Sequence, residues 1–333
     1  MTPDGRLRWG LVGLGSLAAN GIMPAVARSA HAMVTACASR DLASAEAFAA
    51  RFGIPRAHAD AGALARDPAV DAVFVMTPNA LHAAPVLAAA AAGKPVLCEK
   101  PLALAEAEAE AMLAACTRAG VMLRLGLHLR FERFFDRIGA LLREGAIGGV
   151  RSLAIERAAP MAERRAWRED AARGGSILYD VGVHLVDLVP RLLGQPVVGL
   201  AAMASPPPGS GRGADTMTLL LRMADDAQAT MRITREAPSA GNALQAFGTG
   251  GHLSTGPLRW AERYTLRIAT PAGEREESAA PCDLYRDEMD AFALDLADGG
   301  TRLGTGEDGL RLVRVAEAAE RAAREGRFVA MPR

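Results

Sequence analysis

The first 126 residues alternate short apolar runs with segments of helical pattern. Alanine and charged residues recur at helical spacing between the runs, and the helical segments end at Gly53, Gly93 and Gly120. Strands that alternate with helices in this way form a parallel sheet covered by helices. The pattern predicts a doubly wound, Rossmann-type parallel sheet over residues 1–126. Its predicted strands are Leu7–Val12, Met33–Ala38, Val70–Met76, Pro95–Cys98 and Val121–Leu127.

Residues 127–333 have a different pattern, in which β-type runs are separated by connections rich in proline and glycine. Such runs favour an open, largely antiparallel mixed sheet with helices, an α+β domain that carries the substrate. The chain is therefore predicted to be an α/β protein of two domains. The predicted strands of the second domain are Val150–Ala158, Thr216–Met223, Ala229–Thr234, Gln245–Phe247 and Tyr264–Ile268. Its predicted helices are Phe131–Arg143, Leu284–Leu296 and Leu310–Arg324.

Composition excludes several classes of protein. Lys+Arg and Asp+Glu both number 38, and no basic patch stands out, so binding to nucleic acid has little support. No stretch approaches the roughly 20 apolar residues that cross a bilayer, and the first residues lack a signal-peptide pattern. The four cysteines are scattered, as expected of buried thiols in a reducing compartment. A soluble, cytoplasmic protein is predicted.

A glycine-rich loop follows the first predicted strand. Gly13, Gly15 and Ala18 form a G-x-G-x-x-A motif between a strand and a helix. The glycines allow a tight turn and a close approach to a pyrophosphate, and a small third residue lets the helix pack on the strand. The helix begins near Ser16 and Leu17, where its free N–H groups bind phosphate. Gly13, Gly15, Ser16 and Leu17 are predicted to bind a dinucleotide. The alternative is a glycine turn without a ligand.

The end of the second predicted strand bears on the choice of cofactor. Enzymes that bind NAD usually have an acidic residue here, whereas this chain has Ser39 and Arg40. A serine hydroxyl and an arginine can both bind the 2′-phosphate of NADP. Asp41 is the nearest acid, and its position predicts a helix cap. NADP is therefore the predicted cofactor and NAD the alternative, in which Arg40 is a solvated residue at a helix start.

Lys100 is the first candidate for catalysis. It lies in Glu99-Lys100-Pro101 at the end of a predicted strand, on the sheet edge where α/β proteins bind ligands. A lysine ammonium there can bind a substrate hydroxyl and favour the developing alkoxide. The alternative is an ordinary surface lysine.

A second candidate motif is the helix that begins after Gly174-Gly175. Asp180 and His184 are four residues apart and share one helix face, with Asp187 close to the same stripe. A histidine of near-neutral pKa can take a hydroxyl proton while hydride leaves carbon, and the aspartate would orient it. A purely structural Asp–His pair is the alternative. A metal site would need further ligands, and none is predicted.

Together these motifs resemble the glucose–fructose oxidoreductase, inositol dehydrogenase and rhizopine-catabolism (Gfo/Idh/MocA) family over nearly the whole chain. Several motifs in one order are more specific than the glycine loop alone. The resemblance implies a nicotinamide-dependent oxidoreductase that acts on sugars, with a homodimer or homotetramer formed through the open face of the C-terminal sheet. The matching positions are Gly13-Leu14-Gly15, Thr77-Pro78-Asn79 with His82, Glu99-Lys100-Pro101, Arg130-Phe131 and Gly174-Gly175 through Asp187.

The resemblance also implies roles for single residues. Lys100, Asp180 and His184 correspond to the family's catalytic lysine, aspartate and histidine, which also contact substrate. Arg168 lies where related sequences often contact substrate. The resemblance implies that Glu99 contacts the nicotinamide ribose. The other positions that it implies beside the cofactor are Thr77, Pro78, Asn79, His82 and Lys100.

The expected function is hydride transfer between nicotinamide and a carbinol or ketone carbon of a sugar, polyol or sugar derivative, in either direction. Two alternatives stay open: a sugar-active enzyme with a tightly held, recycled nicotinamide, and a non-catalytic regulator that senses NADP. Specificity is expected from residues 161–168 and 239–242. The arginines of the first segment, Arg164, Arg165 and Arg168, either bind an acidic or phosphorylated sugar or are solvated charges.

Overall fold

The structure is a computed structural model that describes residues 5–158, 166–237, 241–258 and 262–331. Its strands are β1 Leu7–Val12, β2 Ala32–Ala38, β3 Arg56–His58, β4 Ala72–Val75, β5 Val96–Glu99, β6 Leu123–Gly126, β7 Val150–Ala158, β8 Val197–Ser205, β9 Thr216–Met223, β10 Gln228–Thr234, β11 Gly241–Gly248, β12 Gly251–Thr255, β13 Tyr264–Thr270, β14 Gly273–Ala279, β15 Gly304–Thr305 and β16 Val329–Ala330.

The α-helices of the described residues are α1 Met23–Arg28, α2 Leu42–Phe52, α3 Ala61–Arg66, α4 Ala83–Ala91, α5 Glu106–Ala119, α6 Arg133–Arg143, α7 Ala166–Glu169, α8 Val183–Leu193, α9 Leu284–Asp298 and α10 Gly306–Glu325. Two π-helical segments, Ala18–Ile22 and Leu178–Gly182, lead directly into α1 and α8. Short 3₁₀ turns are Asn79–Leu81, His128–Phe131 and Ala171–Arg173.

The first compact unit comprises Met1–Phe131 and Asp283–Val313. Its sheet has the order β15-β6-β5-β4-β1-β2-β3, and all neighbouring strands are parallel except the β15–β6 pair. Strand order reverses around β1, with β2 and β3 on one side and β4 to β6 on the other. The predicted doubly wound parallel sheet is confirmed.

Helix α9 belongs to this first unit although it lies far along the chain. Trp9 on β1 and Phe292 on α9 are fully buried, and their ring centroids are 4.7 Å apart. Phe74 on β4 completes the aromatic cluster, at 6.0 Å from Trp9. The sequence-based division at residue 126 would place α9 in the second domain. The structure instead groups residues 283–313 with the first unit, because α9 covers apolar side chains of its central strands.

The second unit comprises Glu132–Cys282 and Arg314–Arg333. Its sheet has the order β14-β13-β12-β11-β7-β10-β9-β8-β16. Only the central β7–β10 pair is parallel among the described strands, which confirms an open, largely antiparallel mixed sheet. Burial alternates along its strands: Leu219 and Leu221 on β9 are buried, and Leu220 between them is 47% exposed. One face of the sheet is therefore covered and the other is solvent-accessible.

Within the described residues no helix is both long and apolar enough to cross a membrane. Cys37, Cys98 and Cys116 are buried free thiols, and Cys282 is a half-buried one. Burial raises the pKa of Cys37 and of Cys116 to about 11, so neither thiol is a ready nucleophile.

Candidate active site

Four predicted site segments lie side by side at the carboxyl edge of the first sheet. Strands β5, β4, β1 and β2 are neighbours in that order, and Val12, at the end of β1, pairs with Val75 of β4 and Ala38 of β2. The residues that follow these strands therefore gather at one edge. They are the glycine loop from Gly13, the Ser39–Arg40 pair, the Thr77–Asn79 turn and the Glu99–Lys100 pair.

The glycine loop is built for a close approach of backbone to backbone. Gly13 has a φ of +97°, and a Cβ there would lie 2.5 Å from the carbonyl oxygen of Met76 and 2.6 Å from the amide nitrogen of Thr77. Any larger residue would be strained and would push the loop away from the end of β4. The carbonyl of Gly15 accepts the N–H of Ala19 at 3.1 Å, so the helix that follows starts directly after the loop.

Just after its first residues, that helix contains a π-turn, which no pattern in the sequence predicts. The N–H of Met23 donates to the carbonyl of Ala18, five residues earlier, and Pro24 has no N–H to continue the α-type pattern. Ser16 and Leu17 form the helical turn at its start. The first N–H groups of a helix have no intrahelical acceptor, so this turn can bind an anion.

The Ser39–Arg40 pair follows β2 as predicted. The N–H of Ser39 donates to the carbonyl of His58 on β3 at 3.2 Å, and Arg40 is exposed. Asp41 caps helix α2, since its carboxylate accepts the N–H of Ser44 at 3.2 Å and the Ser44 hydroxyl at 2.5 Å. These hydrogen bonds from Ser44 lower the pKa of Asp41. The predicted capping role of Asp41 is confirmed, and its carboxylate is engaged within α2.

His82 connects two of the loops at this edge. Its side chain is buried, with Nδ1 2.7 Å from the carbonyl oxygen of Pro101 and Nε2 2.9 Å from that of Thr77. Burial lowers the pKa of His82, while the backbone carbonyls around the ring act in the opposite direction. Both ring nitrogens face the protein backbone, so His82 positions the Thr77 turn and the Lys100–Pro101 segment.

The turn after β4 is held by local hydrogen bonds. The hydroxyl of Thr77 donates to the carbonyl of Leu81 at 3.0 Å, and the carbonyl of Pro78 accepts the N–H of Leu81 at 2.8 Å. Asn79 is buried in the 3₁₀ turn. The turn is thus a fixed surface beside the glycine loop.

Lys100 directly follows β5, and its N–H donates to Oε2 of Glu99 at 3.2 Å. Glu99 is buried, and its carboxylate packs against Gly126 at the end of β6. A second carboxylic acid, Glu288 on α9, is fully buried in the same unit. Burial, and to a smaller extent the charge of Glu99, raise the pKa of Glu288 well above its ordinary value. The buried position therefore favours the neutral form of Glu288, a residue that no pattern in the sequence points to.

The second unit carries the other predicted catalytic residues. Asp180 lies in the π-helical segment Leu178–Gly182, and His184 is buried in the first turn of α8. The Nε of Arg168 is 3.1 Å from Oδ2 of Asp180, so Arg168 is an ion-pair partner of the predicted catalytic aspartate. Asp187 lies 3.9 Å from Nη1 of Arg191, one turn along the same helix.

A buried ion pair, Arg235 with Asp215, is a further polar feature of this unit that the sequence analysis missed. A usable signal was present, because Arg235 continues the inward alternation of Ala229, Met231 and Ile233 on β10. A charge at an inward position of a strand requires a buried partner.

Part of the predicted specificity region lies outside the described residues, namely residues 161–165, with Arg164 and Arg165, and residues 239 and 240. Over the described ranges, no three histidine, cysteine or acidic side chains are grouped as metal ligands.

The fold and these loops define a two-unit α/β protein with a Rossmann-type nucleotide-binding sheet. A family model described as "Oxidoreductase family, NAD-binding Rossmann fold" matches residues 7–127, and the GFO/IDH/MocA C-terminal domain model matches residues 135–254. The chain belongs to the GFO/IDH/MocA oxidoreductase family, and the proteins that it resembles include sugar dehydrogenases and reductases.

Three similar proteins illustrate the relationship. The D-xylose 1-dehydrogenase (NADP(+)) 2 of Haloferax volcanii is 32% identical, over 97% of this chain and 99% of that protein. The 1,5-anhydro-D-fructose reductase of Ensifer adhaerens is 29% identical, over 96% and 97%. The aldose-aldose oxidoreductase of Caulobacter crescentus, solved with glycerol, is 29% identical and superimposes with a TM-score of 0.87, covering 98% of this chain and 100% of that one.

Proposed function

We propose that the chain is an NADP-dependent oxidoreductase that transfers a hydride between nicotinamide and a carbinol or ketone carbon of a sugar, polyol or sugar derivative. The observation that carries the proposal is the gathering of the glycine loop, the Ser39–Arg40 pair and Lys100 at one sheet edge. The names of the similar proteins, which act on aldoses and related sugars, support the substrate class. The first unit binds the dinucleotide in this proposal, and the second binds the sugar.

The described residues fit a dinucleotide. Gly13 lets the loop pack closely against the end of β4, and the helical turn at Ser16 and Leu17 offers N–H groups to a pyrophosphate. The turn Thr77–Asn79 and Glu99 would border the nicotinamide end, and Ser39 with Arg40 would bind the 2′-phosphate at the other end. An exposed guanidinium beside a serine hydroxyl suits a phosphate better than a ribose diol.

The chemistry requires one hydride and one proton to move. Oxidation of a carbinol removes a hydride from carbon and a proton from oxygen, and reduction returns both; a bound nicotinamide exchanges the hydride. In the proposal, the ammonium of Lys100 donates a hydrogen bond to the substrate oxygen and stabilises its negative charge. His184 takes the hydroxyl proton in oxidation and returns it in reduction. Asp180, held by Arg168, orients the substrate and the imidazole.

The choice of basic residues supports a special role for Lys100. The chain has 38 basic residues, and all of them are arginines except Lys94 and Lys100. Lys94 donates from Nζ to the carbonyl of Val70 at 2.6 Å, which is a structural contact. A lysine ammonium is a compact point charge that can exchange a proton, whereas a guanidinium stays protonated. Lys100 is therefore a position where an ammonium is needed.

The test is a comparison of Lys100→Arg with Lys94→Arg, the same substitution at the other lysine. Parent and variants are titrated with NADPH and NADH by tryptophan fluorescence and assayed with D-xylose and NADP⁺, and with 1,5-anhydro-D-fructose and NADPH. We expect tighter binding of NADPH than NADH by all three proteins. Turnover by Lys100→Arg should fall by about 10²- to 10⁴-fold, and Lys94→Arg should match the parent. Equal turnover by the two variants would exclude Lys100 from catalysis.

A second candidate function is hydride exchange between two sugars on a cofactor that stays bound. The similarity to an aldose-aldose oxidoreductase favours it. Cofactor that survives desalting, with no net change in nicotinamide absorbance during turnover, would support this reading. A protein that binds NADPH but turns over no sugar in a broad panel would be a regulator instead.

We also propose that the protein forms homodimers or homotetramers through the solvent-accessible face of the second sheet. Register places Met203, Leu220 and Phe247 on that one face, and they are 78%, 47% and 48% exposed. Several large exposed apolar residues on one sheet are typical of a protein interface.

A cytoplasmic location completes the proposal, since the four cysteines are free thiols.

A further inference from the structure

The ion pair between Arg235 and Asp215 lies at the end of the second sheet and is almost inaccessible to solvent. The two side chains are 2% and 5% exposed, and Nε of Arg235 is 3.0 Å from Oδ1 of Asp215. Their backbones are also joined, because the N–H of Arg235 donates to the carbonyl of Asp215 at 3.0 Å. Arg212 contacts the other carboxylate oxygen of Asp215 at 3.1 Å, from the surface.

The guanidinium of Arg235 also binds three backbone carbonyls from separate segments. Nη1 donates to the carbonyl of Arg168 at 3.0 Å, and Nη2 donates to those of Gly175 and Ala214, the latter at 2.8 Å. A guanidinium has five N–H groups in one rigid plane, so it fixes the relative positions of the groups that it binds. We call the π-helical segment Leu178–Gly182 together with α8 the catalytic helix, because it carries Asp180 and His184. Arg235 thus fixes the end of α7, the start of the catalytic helix and the start of β9 relative to one another.

These same segments hold the predicted catalytic aspartate. The side chain of Arg168 contacts Oδ2 of Asp180 at 3.1 Å, and the N–H of Asp180 donates to the carbonyl of Ser176, the residue after Gly175. Two independent connections therefore run from Arg235 to Asp180: one through Arg168 and one through Gly175 and Ser176.

Close packing leaves little freedom in this arrangement. A Cβ at Gly175 would lie 2.5 Å from the carbonyl oxygen of Arg168, and a Cβ at Gly213 would lie 2.6 Å from that of Gly175. Gly175 and Gly213 are thus needed for the close packing of the Arg168 and Gly175 carbonyls, both of which Arg235 binds.

We propose that Arg235, paired with Asp215, is a positioning residue for the reaction, which sets Asp180 through Arg168 and through the Gly175–Ser176 backbone. The proposal rests on the proposed function, in which Asp180 orients substrate and His184. A role in stability alone would not explain an arginine here, because a buried ion pair seldom stabilises a fold more than apolar residues of the same volume. Two of the three carbonyls bound by Arg235, those of Arg168 and Gly175, belong to the segments that contact or carry Asp180.

The first test compares Arg235→Lys with Arg212→Lys. Both variants keep a cation near Asp215, but only the first loses the planar contacts to the carbonyls of Arg168, Gly175 and Ala214. We expect kcat of Arg235→Lys on D-xylose to fall about 10²-fold, because misplacement of a reacting group by about 1 Å costs that much. The KM for NADP⁺ should stay at the parent value in both variants, and kcat of Arg212→Lys should match the parent. A parent-like kcat of folded Arg235→Lys would overturn the proposal.

Hydrogen–deuterium exchange gives a readout that needs no substrate. In Arg235→Lys, exchange should speed up in peptides that cover residues 166–184 and the start of β9 and stay unchanged elsewhere, whereas Arg212→Lys should match the parent throughout. Faster exchange over the whole second unit, or none within residues 166–184, would contradict a positioning role. A parent that turns over no sugar would refute the proposed function, and the exchange result would still decide the positioning of Asp180.

A second pair of variants covers the case in which Arg235→Lys does not fold. Gly175→Ala pushes the Arg168 carbonyl away from Arg235, while Gly149→Ala adds the same methyl group where no atom lies within 4 Å. We expect Gly175→Ala to lower kcat without changing the KM for NADP⁺, and Gly149→Ala to match the parent. Equal kcat values for these two variants would also overturn the proposal.

Discussion

In the proposed function, the choice between NADP and NAD rests on Arg40, a single exposed side chain. It follows β2 directly, and its acidic neighbour Asp41 is engaged in capping α2. The carboxylate of Asp41 is therefore held within the helix by Ser44, and the position that an acid would use to bind ribose hydroxyls is open to the guanidinium. We therefore propose, at this scale, that the identity of one side chain decides whether NADP or NAD is favoured.

Replacement of Arg40 should change the affinity for NADPH and leave that for NADH alone. In Arg40→Ala the 2′-phosphate loses a charge-assisted hydrogen bond of about 1.5–3 kcal/mol, so Kd for NADPH should rise about 10- to 10²-fold. Fluorescence titration measures both constants. Arg51→Ala, which removes an exposed charge from the last turn of α2, is the control and should leave both constants unchanged. An equal loss of NADPH and NADH affinity in Arg40→Ala would refute the assignment.

Residues with a local reason for their type could be predicted from the sequence, and residues held by distant contacts could not. Gly13 and Asp41 were assigned correctly as a tight turn and a helix cap, because a positive φ and a cap are both properties of the local backbone. The ring of His82 binds the carbonyl of Pro101, and Glu288 is buried in a unit that consists mainly of residues 1–131. No periodic pattern contains such contacts.

At the scale of elements, strongly patterned strands and helices were predicted well. The strands Leu7–Val12, Val150–Ala158 and Thr216–Met223 have the predicted bounds. The short strand β3 and the hydrophilic strand β14, Gly273–Ala279, were missed because neither has an apolar run, and the apolar strand β8 was missed as well. The π-turns were missed as well, since a π-turn differs from an α-turn in one hydrogen bond and leaves no clear mark on the sequence.

The placement of α9 can be tested through one aromatic residue. Phe292 is fully buried against Trp9, so Phe292→Ala should lower the free energy of unfolding by about 3–5 kcal/mol through lost burial and the cavity that it leaves. Leu294→Ala, two residues along the same helix at a side chain that is 40% exposed, should change it by less than about 0.5 kcal/mol. Urea denaturation measures both values. Similar losses in the two variants would show that α9 does not pack on β1 through Phe292.

At the scale of the whole molecule, the sequence predicted two sheets of different type but not how the chain is shared between the two units. Each sheet follows from periodicity, which switches from apolar runs to period-two alternation near residue 127. Residues 283–313 return to the first unit, and α10 links it to the second. The division of the chain between the two units is therefore discontinuous. Residues 1–126 alone would lack α9, the helix that covers Trp9.

Glu288 makes the stability of the whole protein depend on pH in a defined direction. Burial, and secondarily Glu99, raise its pKa in the folded state well above the ordinary 4.5, so folding retains a proton that the unfolded chain releases. Its contribution is fully present below about pH 4.5 and is lost as pH rises towards the folded-state pKa. The free energy of unfolding of the parent, relative to Glu288→Gln, should therefore fall with increasing pH by up to about 1.4 kcal/mol per pH unit.

The measurement is urea denaturation of parent, Glu288→Gln and Phe292→Ala between about pH 5 and pH 8. Glutamine keeps the shape of the neutral acid but does not titrate, so the difference between Glu288→Gln and the parent should widen as pH rises. Phe292→Ala removes no titratable group and should lie below the parent by a constant amount. A difference between parent and Glu288→Gln that stays constant over this range would show that Glu288 is ionised to the same extent in the folded and unfolded states.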